Sequence, residues 1–383
     1  MSKFLIVVDN FKVGGITTSL INFSNFLTLN GYEVEIICFE SEERPQGLAS
    51  SVKIKGLNRG QEIWYLNKNN MKNKKHMNLF KILILGLIKK IFNKGELWSK
   101  LCLKQNKTNP YDCAIAYRQG RTCYQYVKYA VNANCKVAFV HGELKNLNSI
   151  MKWYFLWDSF DKIACVSQAV KQQLIERFGR YQKKYVVMPN LFDVNELYKL
   201  ANKKNIAPYN SFTFISVNRM EYDKGADRII EIYDYIKKNC NVSFNWLIIG
   251  SGTLYNEIKS QIKEKDLVLL GEKRNPFPYI KNSDCFVSMS RSEAFGMAIK
   301  EAQLLGVPAI VGAYPAAREI IVDGITGKIV ANDSKSIAEE MIEFLENSQV
   351  IERYKNNLLK EEYNPKVIID KFVEECIGEK NYE

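Results

Sequence analysis

Cys285-Phe-Val-Ser-Met-Ser-Arg-Ser-Glu293-Ala-Phe-Gly296-Met-Ala-Ile-Lys-Glu301-Ala-Gln-Leu-Leu-Gly306-Val-Pro308-Ala-Ile-Val311 reads as three pieces. Cys285 to Met289 is an apolar run of strand length, Gly296 to Leu305 has helical spacing and stops at Gly306, and Pro308 to Val311 is apolar again. A strand, a helix and a strand in so short a span describe a parallel βαβ step with strands buried on both faces. The same alternation extends upstream. Phe212 to Val217, Phe244 to Ile249 and Leu267 to Leu270 predict strands, with helices over Gly225 to Ile236 and Leu254 to Ile262. A polar stretch from Ala201 to Ser211 sets this block apart from an earlier one. There Phe4 to Val8 predicts a strand, Gly14-Gly15 a turn, Ile16 to Leu29 a helix closed by Gly31, and Val34 to Phe39 a strand. Cys113 to Tyr117, Val137 to Val140, Ile163 to Val166 and Tyr185 to Met188 continue the strands. The expected fold is α/β, with two Rossmann-like doubly wound domains facing across a cleft: 1–200, then 201–365, and a last helix at about 366–383 packing back on the first. Ligand is expected at the carboxyl ends of the strands.

Composition narrows the class. The 383 residues suffice for two cores, and 46% apolar with 25% charged is a folding balance rather than a disordered one. Nine cysteines form no C-x-x-C pair, so spacing gives neither a disulfide framework nor a zinc motif, and a reducing, cytoplasmic setting is expected. Phe4 to Val8 is too short for a signal segment, and Ile82 to Ile88 is far short of a membrane span. The net charge of +12 is concentrated. Between Asn67 and Lys107 stand eleven lysines and one acid, Glu96. Leu79 to Phe92 within this run has the composition of an interfacial helix, so Lys68 to Lys107 is a candidate contact for an anionic membrane surface; the other reading is a helix packed on the first domain with a solvated lysine fringe. No nucleic-acid module surrounds the charge, and nucleic acid is not an expected partner.

Two carboxylates bracket the start of the 296–305 helix: Glu293 in the loop before it and Glu301 in its second turn. Free amides at Phe295, Gly296 and Met297, together with the helix dipole, suit a phosphate or a developing negative charge. Flanking acids suit hydroxyl-rich groups such as a sugar and a ribose. Phe212-Thr-Phe-Ile-Ser-Val-Asn-Arg219-Met-Glu-Tyr-Asp-Lys224-Gly225 adds two cations at the end of a strand, Arg219 and Lys224, where a diphosphate would meet the helix terminus. Each feature alone is common on solvated surfaces; together they describe a nucleotide sugar.

Arg219, Lys224-Gly225, Gly250-Ser-Gly252, Gly271-Glu-Lys-Arg-Asn275-Pro276, Ser292-Glu293-Ala-Phe-Gly, Glu301-Ala, Gly306-Val-Pro308, Glu319-Ile-Ile and Asp323-Gly324-Ile-Thr-Gly327 follow one another in an order that resembles glycosyltransferase family 4. The resemblance is dense from about Phe214 to Val330 and sparse before it. It implies a GT-B fold and a retaining, metal-independent hexosyl transfer, with no cofactor beyond the nucleotide-sugar donor. By the same resemblance Glu301 would hold ribose hydroxyls, Arg219 and Lys224 the diphosphate, Glu293 and the amides of Phe295 to Met297 the transferred sugar, and the loop at Lys273 the base. Gly14 and Gly15 match the family's glycine loop, and His141 a sugar-facing histidine; by itself His141 reads as a structural strand-end residue. The chain departs from the pattern at Tyr314-Pro315-Ala316-Ala317 and at Asn218, where glycines are usual.

The implied donor is a UDP-sugar and the implied acceptor a saccharide or lipid-linked saccharide, which fits surface polysaccharide synthesis on the inner face of the cell membrane. No Asp-x-Asp occurs in the sequence. A catalytically silent partner subunit is the alternative, although such a chain would be expected to lose the acids or cations that remain here. A nicotinamide dehydrogenase would need a third glycine after Gly14-Gly15, which is absent.

Overall fold

The computed structural model describes residues 1–12, 14–57, 110–142, 154–203 and 209–378, with Gln61, Tyr65, Ser99, Leu103 and Ile206 placed singly. The lysines from Lys68 to Lys107 lie outside the described residues. The chain divides into two units, Met1–Leu191 with Asn364–Glu383, and Phe192–Tyr363.

The first unit is built on a seven-stranded parallel sheet of β1 (Lys3–Val8), β2 (Glu33–Cys38), β3 (Lys53–Lys55), β4 (Tyr111–Ala116), β5 (Ala133–Val140), β6 (Lys162–Cys165) and β7 (Tyr185–Val187), in the order β3-β2-β1-β4-β5-β6-β7. Five consecutive residues of β1, Phe4 to Val8, are buried, as a central strand covered on both faces requires. Helices α1 (Gly15–Leu29), α2 (Arg121–Ala130) and α3 (Gln168–Phe178) belong to this unit. From β1 the chain steps outward to β2 and β3, then restarts on the other side of β1 at β4, so the order reverses between β1 and β4. Such a reversal opens a crevice at the carboxyl edge of the sheet.

The second unit holds a six-stranded parallel sheet of β8 (Phe212–Val217), β9 (Phe244–Ile249), β10 (Leu267–Gly271), β11 (Cys285–Ser288), β12 (Ala309–Gly312) and β13 (Gly327–Val330), in the order β10-β9-β8-β11-β12-β13. Its helices are α4 (Val194–Ala201), α5 (Ile229–Asn239), α6 (Tyr255–Gln261), α7 (Phe277–Lys281), α8 (Met297–Leu304), α9 (Ser334–Glu346) and α10 (Ser348–Leu358). Here the reversal lies between β8 and β11. Phe214, Trp246, Val287, Ile310 and Phe344 are fully buried in one core around this sheet.

One predicted helix starts later than expected. Gly225 does not open an α-helix; it separates two short 3₁₀ turns, Tyr222–Lys224 and Ala226–Arg228, and α5 begins at Ile229. The cause is the left-handed backbone of Gly225 (φ 71°), which a continuous right-handed helix cannot contain. The short strands β3 and β13 and the helices α2, α3, α4, α7 and α9 are not among the elements expected from sequence.

The chain returns to the first unit with α11 (Pro365–Ile377). Asn364 caps it by accepting from the amides of Lys366 and Val367, and Pro365 occupies the first turn, where its missing N–H costs nothing. Ile369, Phe372 and Val373 bury the inner face, with Phe372 edge-on to Phe23.

Candidate functional site

In the second unit Arg219 and Lys224 follow β8, while Glu293 follows β11, so all three belong to the two strands between which the order reverses. The turn carrying Lys224 lies against the end of β11. A Cβ on Gly225 would stand 2.0 Å from the Met289 carbonyl oxygen, so this approach needs glycine twice over, for its conformation and for its size. The result is a contact between two residues 69 positions apart. Lys224 Nζ meets Glu293 Oε2 at 2.8 Å, with the side chains only 17 and 20% exposed, and Ser290 Oγ donates to Glu293 Oε1 at 2.8 Å. A pair this sheltered is screened far less than one at the surface.

Lys224 and Arg219 stand together in sequence as two cations past one strand end. The structure groups Lys224 with Glu293 instead. Arg219 is 68% exposed and meets Asp223 at 3.4 Å, with no ion pair or hydrogen bond to Lys224, Glu293 or Glu301 among the described residues. Its turn projects it into solvent, where four-residue spacing brings it to Asp223.

Four residues after Glu293, α8 begins. Gly296 caps it in a left-handed conformation (φ 91°), and a Cβ there would come within 2.8 Å of Ile320 Cδ1. Among the described residues the amides of Phe295, Gly296 and Met297 have no acceptor, so three donors and the positive end of the helix dipole stand beside the Lys224–Glu293 pair in the chain. The Glu301 side chain, one turn further along α8, is half-buried and makes neither a hydrogen bond nor an ion pair among the described residues, while its backbone carbonyl accepts from the Leu305 amide. Burial pushes its carboxyl up to about 8. A sheltered acid without a partner is costly, and ligand hydroxyls are groups that would satisfy it. Lys273 lies half-buried in the loop after β10, the edge strand, roughly 10 Å from β8 across two strand spacings.

What holds these loops carries no sequence motif. Arg291 donates both Nη atoms to the two Asp227 oxygens at 2.7 Å, donates to the Tyr222 carbonyl, and lies 3.7 Å above the Tyr222 ring. Burial opposes the Asp227 charge, yet the bonds from Arg291 and its charge hold that carboxyl below the usual range. Arg228 donates to the Met289 carbonyl (3.2 Å) and to Asn332 Oδ1 (2.7 Å), and Asn332 Nδ2 donates back to the carbonyls of Ser290 and Arg291. The loop of Glu293 is thus bolted to the turn of Lys224. Arg291 stands in the quoted stretch two residues before Glu293, but its partner at 227 is distant in sequence and carries no motif.

The first unit has its own site, at the reversal between β1 and β4. A hollow of about 520 Å³ is lined by Asp9, Ile16, Arg118, Gln119 and His141, from the ends of β1, β4 and β5 and the start of α1. Gly14 is the N-cap residue of α1 and Gly15 its first residue. Arg118 Nη1 donates to Asp9 Oδ1 (3.0 Å) and Asn10 Oδ1 (2.7 Å), bridging β4 and β1. Gln119 Oε1 accepts from the amides of His141 and Gly142. The His141 ring stacks on Phe139 with its Nε2 2.7 Å from the Tyr117 carbonyl oxygen. Burial, aided by the nearby charge of Arg118, lowers its pKa to about 4 despite that bond, so the ring is neutral at pH 7. A neutral ring facing a carbonyl through Nε2 must carry its proton there, which leaves the Nδ1 lone pair to accept from a hydroxyl. Arg118 was legible by the same logic as Arg219, a cation just past a strand end.

Residues 199–361, wholly within the second unit, match the family described as Glycosyl transferases group 1. The chain is 26% identical over 250 residues to an uncharacterized glycosyltransferase of Methanocaldococcus jannaschii, covering 55% of this chain and 61% of that one. It is 31% identical over 198 residues to the UDP-Gal:α-D-GlcNAc-diphosphoundecaprenol α-1,3-galactosyltransferase of Escherichia coli, covering 46% and 51%. The chain spans about half to three-fifths of the length of these curated relatives. HepE of Anabaena, solved in complex with UDP and glucose, superposes with a TM-score of 0.71 at 18% identity over 98% of this chain and 99% of that one. At that identity the likeness is one of fold: two parallel sheets flanked by helices, in two Rossmann-like domains, the GT-B fold.

Proposed function

We propose that the chain is a retaining, metal-independent glycosyltransferase that moves a hexosyl group from a UDP-sugar to a saccharide or lipid-linked saccharide acceptor in surface polysaccharide or glycoconjugate synthesis. The observation that carries this reading is the sheltered Lys224–Glu293 pair at 2.8 Å, in loops leading into the unbonded amides of Phe295 to Met297. A sugar joined to a diphosphate presents phosphate oxygens next to ring hydroxyls, and a cation beside an acid matches that juxtaposition. The family match over 199–361 supports the reading, as do a relative whose name contains a UDP-linked donor and a diphosphoundecaprenol acceptor, and a neighbour of the same fold that binds UDP and glucose.

In this mechanism the acceptor hydroxyl approaches the anomeric carbon on the face from which the diphosphate departs. The new C–O bond forms as the bond to the phosphate oxygen breaks, and the hydroxyl proton passes to that departing oxygen. Lys224, the helix amides and Arg219, swung from Asp223, stabilise the charge that grows on the diphosphate. Glu293 accepts from hydroxyls of the transferred sugar, Glu301 from those of the ribose, and Lys273 lies towards the base. The Nδ1 lone pair of His141 accepts a hydrogen bond from a sugar hydroxyl without taking its proton, and Gly14-Gly15 let the α1 terminus come near the phosphate. No Asp-x-Asp stands in the sequence to clamp a metal. The lysines of Lys68 to Lys107 attract an anionic leaflet, at about 1 kcal/mol each near its surface, and so bring the enzyme to a lipid-linked acceptor.

Lys224→Ala is expected to lower kcat/KM about 100-fold or more, with full activity retained by the wild type in excess chelator and an unchanged anomeric configuration in the product. Wild-type turnover in that variant would overturn the assignment. Equal sedimentation with neutral and anionic vesicles would remove the membrane role.

A further inference from the structure

Cysteines that sequence spacing leaves unpaired meet in the first unit. Cys113 on β4 stands opposite Cys135 on β5 in parallel register, and Cys376 reaches both from α11. All three sulfurs lie within 4.8 Å of one another. Cys113 and Cys135 belong to the apolar core, and Cys376 packs against it. No His, Asp or Glu among the described residues joins the three.

We propose that Cys113, Cys135 and Cys376 form a binding site for a soft, filled-shell metal ion, monovalent copper, held by three sulfurs. Sulfurs about 2.3 Å from a common ion in a tetrahedral or trigonal arrangement stand roughly 3.8 to 4.0 Å apart, so closing from 4.8 Å takes about 1 Å of movement. Side-chain rotation of the half-buried Cys376 at the end of α11 can supply part of it. Thiolates in an apolar pocket select soft ions and reject hard, hydrated ones such as magnesium. Three sulfurs without a fourth ligand suit the low coordination number of monovalent copper, whereas structural zinc asks for four. Binding replaces thiol protons, which pass to solvent, and changes no oxidation state. Lys162, near Cys135 and Cys376, offsets part of the resulting negative charge, with Asp161 beside it acting in the opposite sense on Cys135.

Cys113 precedes Arg118 by five residues, so the cluster lies roughly 16 Å along the strand from the hollow, towards the opposite edge of the sheet. The ion would therefore fasten α11 to β4 and β5 and take no part in group transfer. The inference is independent of the proposed function.

Reduced full-length protein, titrated anaerobically with monovalent copper against a chromogenic copper chelator, is expected to withdraw one equivalent and to unfold at a higher temperature once loaded. Cys376→Ser should weaken uptake at least about tenfold, while Cys240→Ser, a buried thiol of the second unit, should leave it unchanged. In the wild type, copper should slow alkylation of Cys376 by about tenfold or more, read by mass spectrometry, so the test survives if the variant fails to fold. No copper withdrawn, or alkylation of Cys376 at the same rate with and without copper, would overturn the proposal.

Discussion

Glu301 and His141 are sheltered from water to opposite electrostatic effect. The Glu301 carboxyl titrates at about 8 in the folded chain against an ordinary 4.5, so between those values the folded protein keeps a proton that the unfolded chain has released. Its stabilising contribution is present below 4.5 and is lost as pH rises through 8. His141 titrates at about 4 against an ordinary 6.5; its contribution is present above 6.5 and is lost as pH falls through 4. Urea midpoints of the wild type and Glu301→Gln are expected to diverge between pH 5 and 9, the wild type losing ground as pH rises. His141→Asn should show the reverse, gaining on the wild type as pH falls from 6.5 to 4. Parallel profiles would mean that these groups sit in water. Both residues were legible as types at strand and helix ends, but neither shift was, because burial is a property of what packs around a side chain.

The turn between β8 and α5 and the loop between β11 and α8 act as one part. Gly225→Ala places a Cβ against the Met289 carbonyl in a left-handed conformation, and a loss of about 2 to 4 kcal/mol in unfolding free energy is expected by urea titration. Arg291→Ala and Asp227→Ala each break the bidentate pair, and each is expected to cost about 1 to 3 kcal/mol and to raise the KM for the donor more than it lowers kcat. The double variant should be little worse than either single one, since both remove one shared interaction; fully additive losses would show that the two residues act separately. The strands on either side were readable because each is a local apolar run with the right period. The clamp was not, since Arg291 and Asp227 are joined only after parallel strands have been laid side by side. The same holds for β3 and β13, which are too short, and too exposed or only partly buried, to show an apolar pattern of their own.

A ligand that binds only the folded chain raises its stability by mass action, about 2.7 kcal/mol at a hundred times its Kd. A panel of nucleotide sugars compared by thermal unfolding is thus expected to single out one donor, with UDP protecting in its own right and Lys224→Ala abolishing most of the shift. Absence of protection by any nucleotide would sink the proposed function while leaving the fold intact. Local pattern was enough to announce two parallel α/β blocks, the glycine turns and the chemical types gathered at the strand ends, because periodicity and turn chemistry act over a few residues. Pairing Lys224 with Glu293 rather than Arg219, joining Arg118 to Asp9, and bringing Cys376 to Cys113 and Cys135 required the folded chain. Parallel strands place residues from far-apart stretches at one edge or in one layer, and no short-range pattern encodes which of them will touch.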